Sequence, residues 1–373
     1  MAFWNSKREK SNTLTALAFI LPNLVGFLLF TAGPVLLSLY MSLTDWSLHD
    51  RPLQFVWFRN YVDILTDGKF WFYLFNTGYF MLNIPIAIFG SLLLANFLAG
   101  PMLMKNTMRR LRLSAGVGVV GLFTCGFFAF GGRPDVALLL GVLYAGAVAG
   151  VLWGSTTFRS MLYIPSFASG VATMILWSQA FNVEHGLINN FLEQIFNFLH
   201  LDIELPKWLN SDHCLLGFLP FPEHFNNGGF GLGAREAIMI MGIWMTIGGN
   251  NMILYIASIS NIPSALYEAA EIDGAGSVSK FWHITVPSVT PTTFFISVMA
   301  IIGGLQGGFQ FAKIMTGGGP AGTTTTLAYY IYQVGFEQGD LGVASAVSWV
   351  LFVIVFGFTL LKWKYGNRQT DMI

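Results

Sequence analysis

Ile262 to Pro287 reads IPSALYEAAEIDGAGSVSKFWHITVP, a polar island between two apolar runs at about 237 to 257 and 290 to 312. Holding Glu268, Glu271 and Asp273 at bilayer depth would cost roughly 2.5 to 3.5 kcal/mol each. The segment therefore lies outside the hydrocarbon, and the runs on either side of it cross. Pro263 suits the first turn of a helix, and Gly274 and Gly276 suit its end. Leu266, Ala269 and Ala270, spaced i, i+3 and i+4, share one face with small side chains in its middle. A second short helix is expected from Ser277 to Trp282, ended by Pro287. Two short helices joined by a glycine corner at the membrane surface can serve as a docking element or simply as a solvated amphipathic connector.

The rest of the chain fits that solvent. Of 373 residues, 54% are hydrophobic and 10% charged, with a mean hydropathy of +0.61, whereas soluble domains carry about 25% charged residues. A helix needs about 20 apolar residues to cross the hydrocarbon. Eight segments qualify, at roughly 14–41, 72–98, 113–130, 136–153, 161–181, 237–257, 290–312 and 341–361. The expected fold is all-α and integral to the membrane, with about eight transmembrane helices. The first segment holds Pro22 and Pro34 and should kink or tilt. Lys7, Arg8 and Lys10 precede it, and the run is too long for a cleaved leader, so it reads as a retained anchor.

Cytoplasmic loops carry an excess of Lys and Arg. With both termini cytoplasmic, the inner segments hold Lys7, Arg8, Lys10, Lys105, Arg109, Arg110, Arg112, Arg159, Lys280, Lys362, Lys364 and Arg368, twelve of the 19 basic residues. Two sizeable outer loops remain, at about 42–71 and 182–236. Trp46, Trp57, Trp71 and Trp208 in or beside them read as interface anchors. The second loop, with Pro206, Pro220, Pro222 and the Gly-rich Asn226 to Gly233, reads as a small irregular cap.

Several function classes lose support. With 19 basic and 19 acidic residues there is no positive surplus for nucleic acid. Cys125 sits in an apolar run and Cys214 in a polar loop, which argues against a disulfide between them. Asp212, His213, Cys214, Glu223 and His224 follow no metal-ligand spacing, so no metal site is expected. Gly317 to Thr324 imitates a phosphate-binding loop but has Thr323 where the lysine belongs. No nucleophile, base and orienting group can be assembled, so no catalytic residues are expected and the chain does not read as an enzyme.

The island resembles the EAA loop of bacterial ABC-importer permeases. The match runs through Glu268, Ala269 and Ala270, Gly274 after three residues, Ile284 after nine more, and Pro287, with Val286 where a leucine is usual. The resemblance implies a coupling helix docked on a separate ATP-hydrolysing subunit, with Asp273 among the coupling residues. LTDW at Leu43 to Trp46, FVWFRNY at Phe55 to Tyr61, FWFYLFNT at Phe70 to Thr77, FRSMLYIPSFASG at Phe158 to Gly170, FNVEHGLIN at Phe181 to Asn189 and TGGGPAGTTTTLAYYIY at Thr316 to Tyr332 resemble the carbohydrate branch, the maltose, lactose and glycerol-phosphate type. Such subunits commonly have six spans, so residues 113–153, with Gly141, Gly146 and Gly150, read as an inserted helical hairpin packed closely on the bundle.

The implied organisation is an anchor span with its first periplasmic loop at 1–71 and a permease domain at 72–365. That domain includes the hairpin at 113–153, the periplasmic loop at 182–236 and the coupling loop at 258–287, and a cytoplasmic tail occupies 366–373. The resemblance further implies a second permease subunit, an ATPase that alone binds ATP and Mg, and a periplasmic or extracellular solute-binding protein. No cofactor is expected in this chain. Polar side chains in spans usually face a cavity or another helix. Asn250, Asn251, Gln306 and Gln310 are therefore candidates for the solute pathway, with interhelical hydrogen bonding as the alternative. An ion-coupled secondary transporter is the competing function, but it should carry intramembrane charges for coupling, and no span has one near its centre. A membrane-embedded transferase would need a reactive polar cluster at one interface, and the only charged cluster is the coupling loop.

Overall fold

The computed structural model describes residues 7–49, 53–99, 107–130, 141, 144, 145, 148, 155–167, 170–218 and 228–370. Among these the chain is helical, and extended pairing is confined to two isolated bridges, Thr44 with Phe55 and Cys214 with Phe230. Five helical stretches are long and apolar enough to cross a membrane: Thr15–Ser42, Gly68–Ala99, Ala234–Ser260, Thr290–Thr316 and Leu341–Leu361. A sixth crossing is available if Arg159–Ser166 and Val171–Ala180, bent by 98°, form one broken span. Of the hairpin expected at 113–153, the first arm lies within helix Thr107–Phe130. The second arm falls largely outside the described residues, but Gly141, Tyr144, Ala145 and Val148 are helical, and their spacing i, i+3, i+4, i+7 defines one face.

Two proline-bearing segments share one device. Pro34 and Pro287 cannot donate to the carbonyl four residues back, and their rings crowd it. In each case a widened π-turn precedes the proline, Leu28–Ala32 and Phe281–Thr285, and the residue before the proline bonds five residues back, Gly33 to Leu28 and Val286 to Phe281. The helix therefore bulges and continues. This corrects the expectation that Pro287 ends the second short helix, because the chain stays helical from Ser277 through Ser288.

The chain divides into two compact units, Met1–Phe70 with Tyr330–Val353, and Trp71–Tyr329 with Ile354–Ile373. In the first, the span Thr15–Ser42 buries none of its most apolar window, as suits a lipid-facing helix. Its C-terminal end is tied by side chains: Asn60 Nδ2 donates to the carbonyls of Ser42 (2.9 Å) and Thr44 (3.0 Å), and Tyr61 shares a 2.7 Å hydrogen bond with Ser42. Segments far apart in the sequence meet in this unit. Leu48 N–H donates to Gly339 O (2.7 Å), Gly342 N–H to Trp46 O (2.8 Å), and Trp349 Nε1 to Ser38 Oγ (3.2 Å).

In the second unit, helix Asn83–Ala99 packs on Ala234–Ile247 and Asn250–Ser260. Leu92, Ala95, Leu98, Met252, Tyr255, Ile259, Phe281 and Ile296 form one apolar cluster. Met174, Phe181, Trp208, Ala237, Ile238 and Met315 form another under the 182–236 segment. That segment is more regular than an irregular cap, with a helix at Leu187–Phe198. Trp208 is buried in it and donates to Asn189 Oδ1 at 2.6 Å, so it is a core residue and not an interface anchor.

Candidate functional site

The helix Ser264–Ile272 starts after Pro263 and ends at Asp273, with no buried residue along its length. Gly274 then takes φ +78°, a left-handed conformation that costs a residue with a Cβ far more than glycine. Ala275 N–H donates to Ala270 O (2.8 Å) and Gly274 N–H to Glu271 O (3.1 Å), the paired closing bonds of a Schellman motif. The corner turns the chain into Ser277–Lys280, whose Lys280 Nζ reaches back to Glu271 Oε1 at 2.6 Å. Tyr267 and Thr285 hydrogen-bond at 2.9 Å, and Phe281 anchors the far side in the first apolar cluster. Glu268, Ala269 and Asp273 stay exposed, Ala270 and Ile284 are half-buried, and Pro287 is exposed. Ile272, 88% exposed, together with exposed Leu266 and Val278, gives this polar corner an apolar fringe that no described residue covers.

A cavity of about 270 Å³ lies among the spans of the second unit. One helix break lines it, and a second lies between two of its lining residues, Thr246 and Asn251. The Ala234–Ser260 span breaks at Gly248–Gly249 and restarts at Asn250, while the Thr290–Thr316 span breaks at Gly307–Gly308, where Gly308 takes φ +96°. The polar groups on the wall are Asn83, Thr246, Asn251 and Thr326, against Phe80, Met241 and Phe311. Of the four sequence candidates, only Asn251 lines this cavity. Asn250 is exposed and accepts a 2.7 Å bond from the Tyr163 hydroxyl, and Gln306 and Gln310 are exposed away from the wall.

A third cluster was not foreseen from the sequence. Arg235 and Glu236, assigned to the outer loop, lie in the first turn of helix Ala234–Ile247 and are almost wholly buried, 1% and 2% exposed. Arg235 Nε donates to Thr323 O (3.1 Å) and Nη2 to Asn76 Oδ1 (2.7 Å), and its guanidinium lies 5.3 Å from the Tyr79 ring centre. Asn76 Nδ2 in turn donates to Gly322 O (2.9 Å) and Thr325 O (3.1 Å). Glu236 accepts from the Tyr79 hydroxyl, from Leu215 N–H (2.9 Å) and from its own helix start at Gly233 N–H (3.0 Å). Burial in this cluster pushes the Cys214 thiol up from its ordinary value. The clasp fastens Gly68–Phe80, the 211–216 loop and the Gly317–Thr326 loop to one helix start. A signal was available: two adjacent opposite charges at the lip of an apolar run are too costly to bury unless each is paired.

Residues 137–363, well over half of the chain, match the family described as binding-protein-dependent transport system inner membrane component. The chain belongs to this family. As one of these inner membrane components it is a multi-pass transport subunit rather than an enzyme. Among curated relatives it is 28% identical over 355 residues to the probable ABC transporter permease protein YurN of Bacillus subtilis (strain 168), covering 95% of this chain and 96% of that one. It is 30% identical over 235 residues to the sn-glycerol-3-phosphate transport system permease protein UgpA of Yersinia enterocolitica serotype O:8 / biotype 1B, covering 63% of this chain and 70% of that one. In fold it is similar to a chain of a bacterial ABC transporter involved in the import of the acidic polysaccharide alginate, with a TM-score of 0.66, 19% identity, and coverage of 97% and 98% of the two chains.

Proposed function

We propose that this transport subunit forms part of the path for a hydroxylated, sugar-like solute and is driven through the Ser264–Lys280 corner by a separate ATPase. The observation that carries this reading is the corner itself: a helix with no buried residue and an exposed apolar fringe, braced internally by the Lys280–Glu271 ion pair and tied onward by the Tyr267–Thr285 hydrogen bond and by Phe281 in the first apolar cluster. Force applied to such an element passes to Val289 and Ile296 in the core instead of being absorbed by a soft loop. Glu268, Ala269, Ala270, Asp273 and Gly274 make the contact, and Ile284 and Pro287 continue the helix into the span. ATP and Mg belong to the ATPase pair, and this chain carries no cofactor. A second permease subunit and an external solute-binding protein complete the assembly; the fold-related alginate importer has been seen in complex with a periplasmic protein bound to an alginate pentasaccharide.

The same reading places eight crossings, with both termini and the Ser264–Lys280 corner cytoplasmic, supported by the bias of Lys and Arg. The carbohydrate class is supported by uncharged amides and hydroxyls set among aromatic and apolar walls in the cavity, a lining that suits neutral polyols better than ions. Asn251 is the first pathway residue to test, ahead of Asn250, Gln306 and Gln310. In reconstituted importer, Gly274→Pro and Glu268→Lys are expected to leave ATP hydrolysis running while solute uptake falls at least about tenfold. Uptake at the unaltered rate in both variants would refute the coupling role.

A further inference from the structure

We propose that the cleft between the end of helix Val171–Ala180, the Trp208–Asn210 turn and the 314–320 loop is a second solute site, which holds one neutral saccharide unit. The proposal rests on the sugar-like reading above and adds a place outside the cavity where such a solute binds. The cleft encloses about 630 Å³ and shares no lining residue with the cavity among the spans. Small-molecule sites occupy roughly 300–1,000 Å³.

Its lining divides by chemistry. Phe181, Leu209, Met315 and Pro320 supply apolar wall, while Ser178, Asn182 and Asn210 supply polar groups. Asn182 Oδ1 accepts from Glu184 N–H and His185 N–H, both at 3.0 Å, which fixes the plane of the amide. Its Nδ2 has no acceptor among the described residues, and the Ser178 hydroxyl and the Asn210 amide make no hydrogen bond there either. Serines elsewhere in the helices, such as Ser260 and Ser288, bond back to a carbonyl four residues earlier. Water can satisfy the three unengaged groups, and a hydroxyl-rich ligand replaces it at little cost because it offers the same donors and acceptors. The remaining wall is held by the fold. Gly317 and Gly318 take φ +61° and +87° and reverse the chain, Gly318 N–H donates to Ala312 O (2.9 Å), and Thr316 shares a 2.6 Å hydrogen bond with Thr324.

No charged side chain lines the cleft among the described residues, so an ion finds nothing there to pair with. Amides and a hydroxyl beside an apolar wall suit a solute that presents hydroxyls on one edge and C–H groups on the other. One apolar cluster borders both cleft and cavity: Phe181 and Met315 line the first, Ile238 and Met241 the second, and all four belong to it. The stretch Phe309–Thr316 gives Phe311 to the cavity and Met315 to the cleft, roughly 6 Å further along. In the orientation proposed above these segments lie at the outer side, so arriving solute meets the cleft before the cavity.

The test is protection from N-ethylmaleimide in the full-length chain in lipid nanodiscs, in a Cys125→Ser background. Val183→Cys reports on the cleft and Ala300→Cys on the cavity. Maltotriose or raffinose at tens of millimolar should slow labelling of Val183→Cys at least about threefold, and trigalacturonate should not. Asn182→Asp keeps the oxygen that accepts from Glu184 and His185 but loses the donor. This change and Asn210→Ala should each raise the half-protecting sugar concentration about five- to tenfold. Protection of Ala300→Cys without protection of Val183→Cys would overturn the cleft and leave the sugar reading standing, whereas protection of neither position by either sugar would sink both. Equal protection of Val183→Cys by trigalacturonate, or protection that Asn182→Asp and Asn210→Ala leave unchanged, would also overturn the proposal. So would a Val183→Cys thiol that maleimide cannot reach, since a closed cleft takes no solute.

Discussion

Arg235 concentrates the residue-scale chemistry. Two of its hydrogen bonds leave from different nitrogens to different elements, Nε to Thr323 O and Nη2 to Asn76 Oδ1. A lysine offers one point charge where the site uses a planar fork. Both Arg235→Gln and Arg235→Lys should therefore destabilise the protein, the former by roughly 3 kcal/mol, since removing one member of a buried charged network strands the others. Thermal unfolding of the detergent-solubilised variants measures this, and a lysine variant as stable as the parent would show that the fork geometry is dispensable. The neighbouring thiol gives a second readout. Cys214 is fully buried, and burial disfavours its thiolate. It should resist N-ethylmaleimide at pH 7 in the parent and become reactive once Arg235→Gln loosens the clasp. The coupling candidates were legible in the sequence and the clasp was not, for one reason. Glu268, Gly274 and their neighbours belong to a contiguous motif whose geometry is local, while the clasp joins Asn76, Arg235 and Thr323 across about 250 positions. Pairing at that distance leaves no periodic trace.

At the scale of elements, periodicity identified apolar helices well and their joints poorly. The π-turns before Pro34 and Pro287 show why: Pro287 was read as a stop and Pro34 as a kink or tilt, but in each case the turn before the proline takes one extra residue and the helix continues. The breaks at Gly248–Gly249 and Gly307–Gly308 were invisible to hydropathy because glycine is neutral to it, yet Gly307 and Gly308 line the cavity that takes in Asn251 and leaves out Gln306. The hairpin is open to direct chemistry. A Cβ on Gly141 would sit 3.8 Å from Cys125 Sγ, within reach of a disulfide after small adjustment. Oxidation of the Gly141→Cys variant should link 125 to 141, seen as a bridged peptide after digestion. The same treatment of Gly141→Ser should give none, and a Gly141→Cys protein that stays reduced would contradict the antiparallel pairing. Replacing Gly308 by Ala forces a Cβ to within 2.4 Å of Thr326 and into a left-handed backbone, so about 1–3 kcal/mol of stability should be lost in thermal unfolding.

For the whole molecule, the family was legible in the Ile262–Pro287 motif, while the proposed orientation rests on the bias of Lys and Arg. Sidedness can be read by labelling. In a Cys125→Ser background with Cys214 buried, Asn210→Cys should react with an impermeant maleimide added outside intact cells. Glu271→Cys should react only after permeabilisation, and external labelling of Glu271→Cys would reverse the orientation. One feature of the first unit also bears on how the chain is made. Ser38 meets Trp349 across 311 residues, and a ribosome adds roughly 5–20 residues per second. The first span therefore stands in the bilayer without its partner for about 15–60 s of synthesis, with lipid as its only neighbour along the most apolar stretch. Any nascent chain cut short before Trp349 leaves that helix unclosed, which makes the opening span the place where a membrane protease would recognise an unfinished molecule.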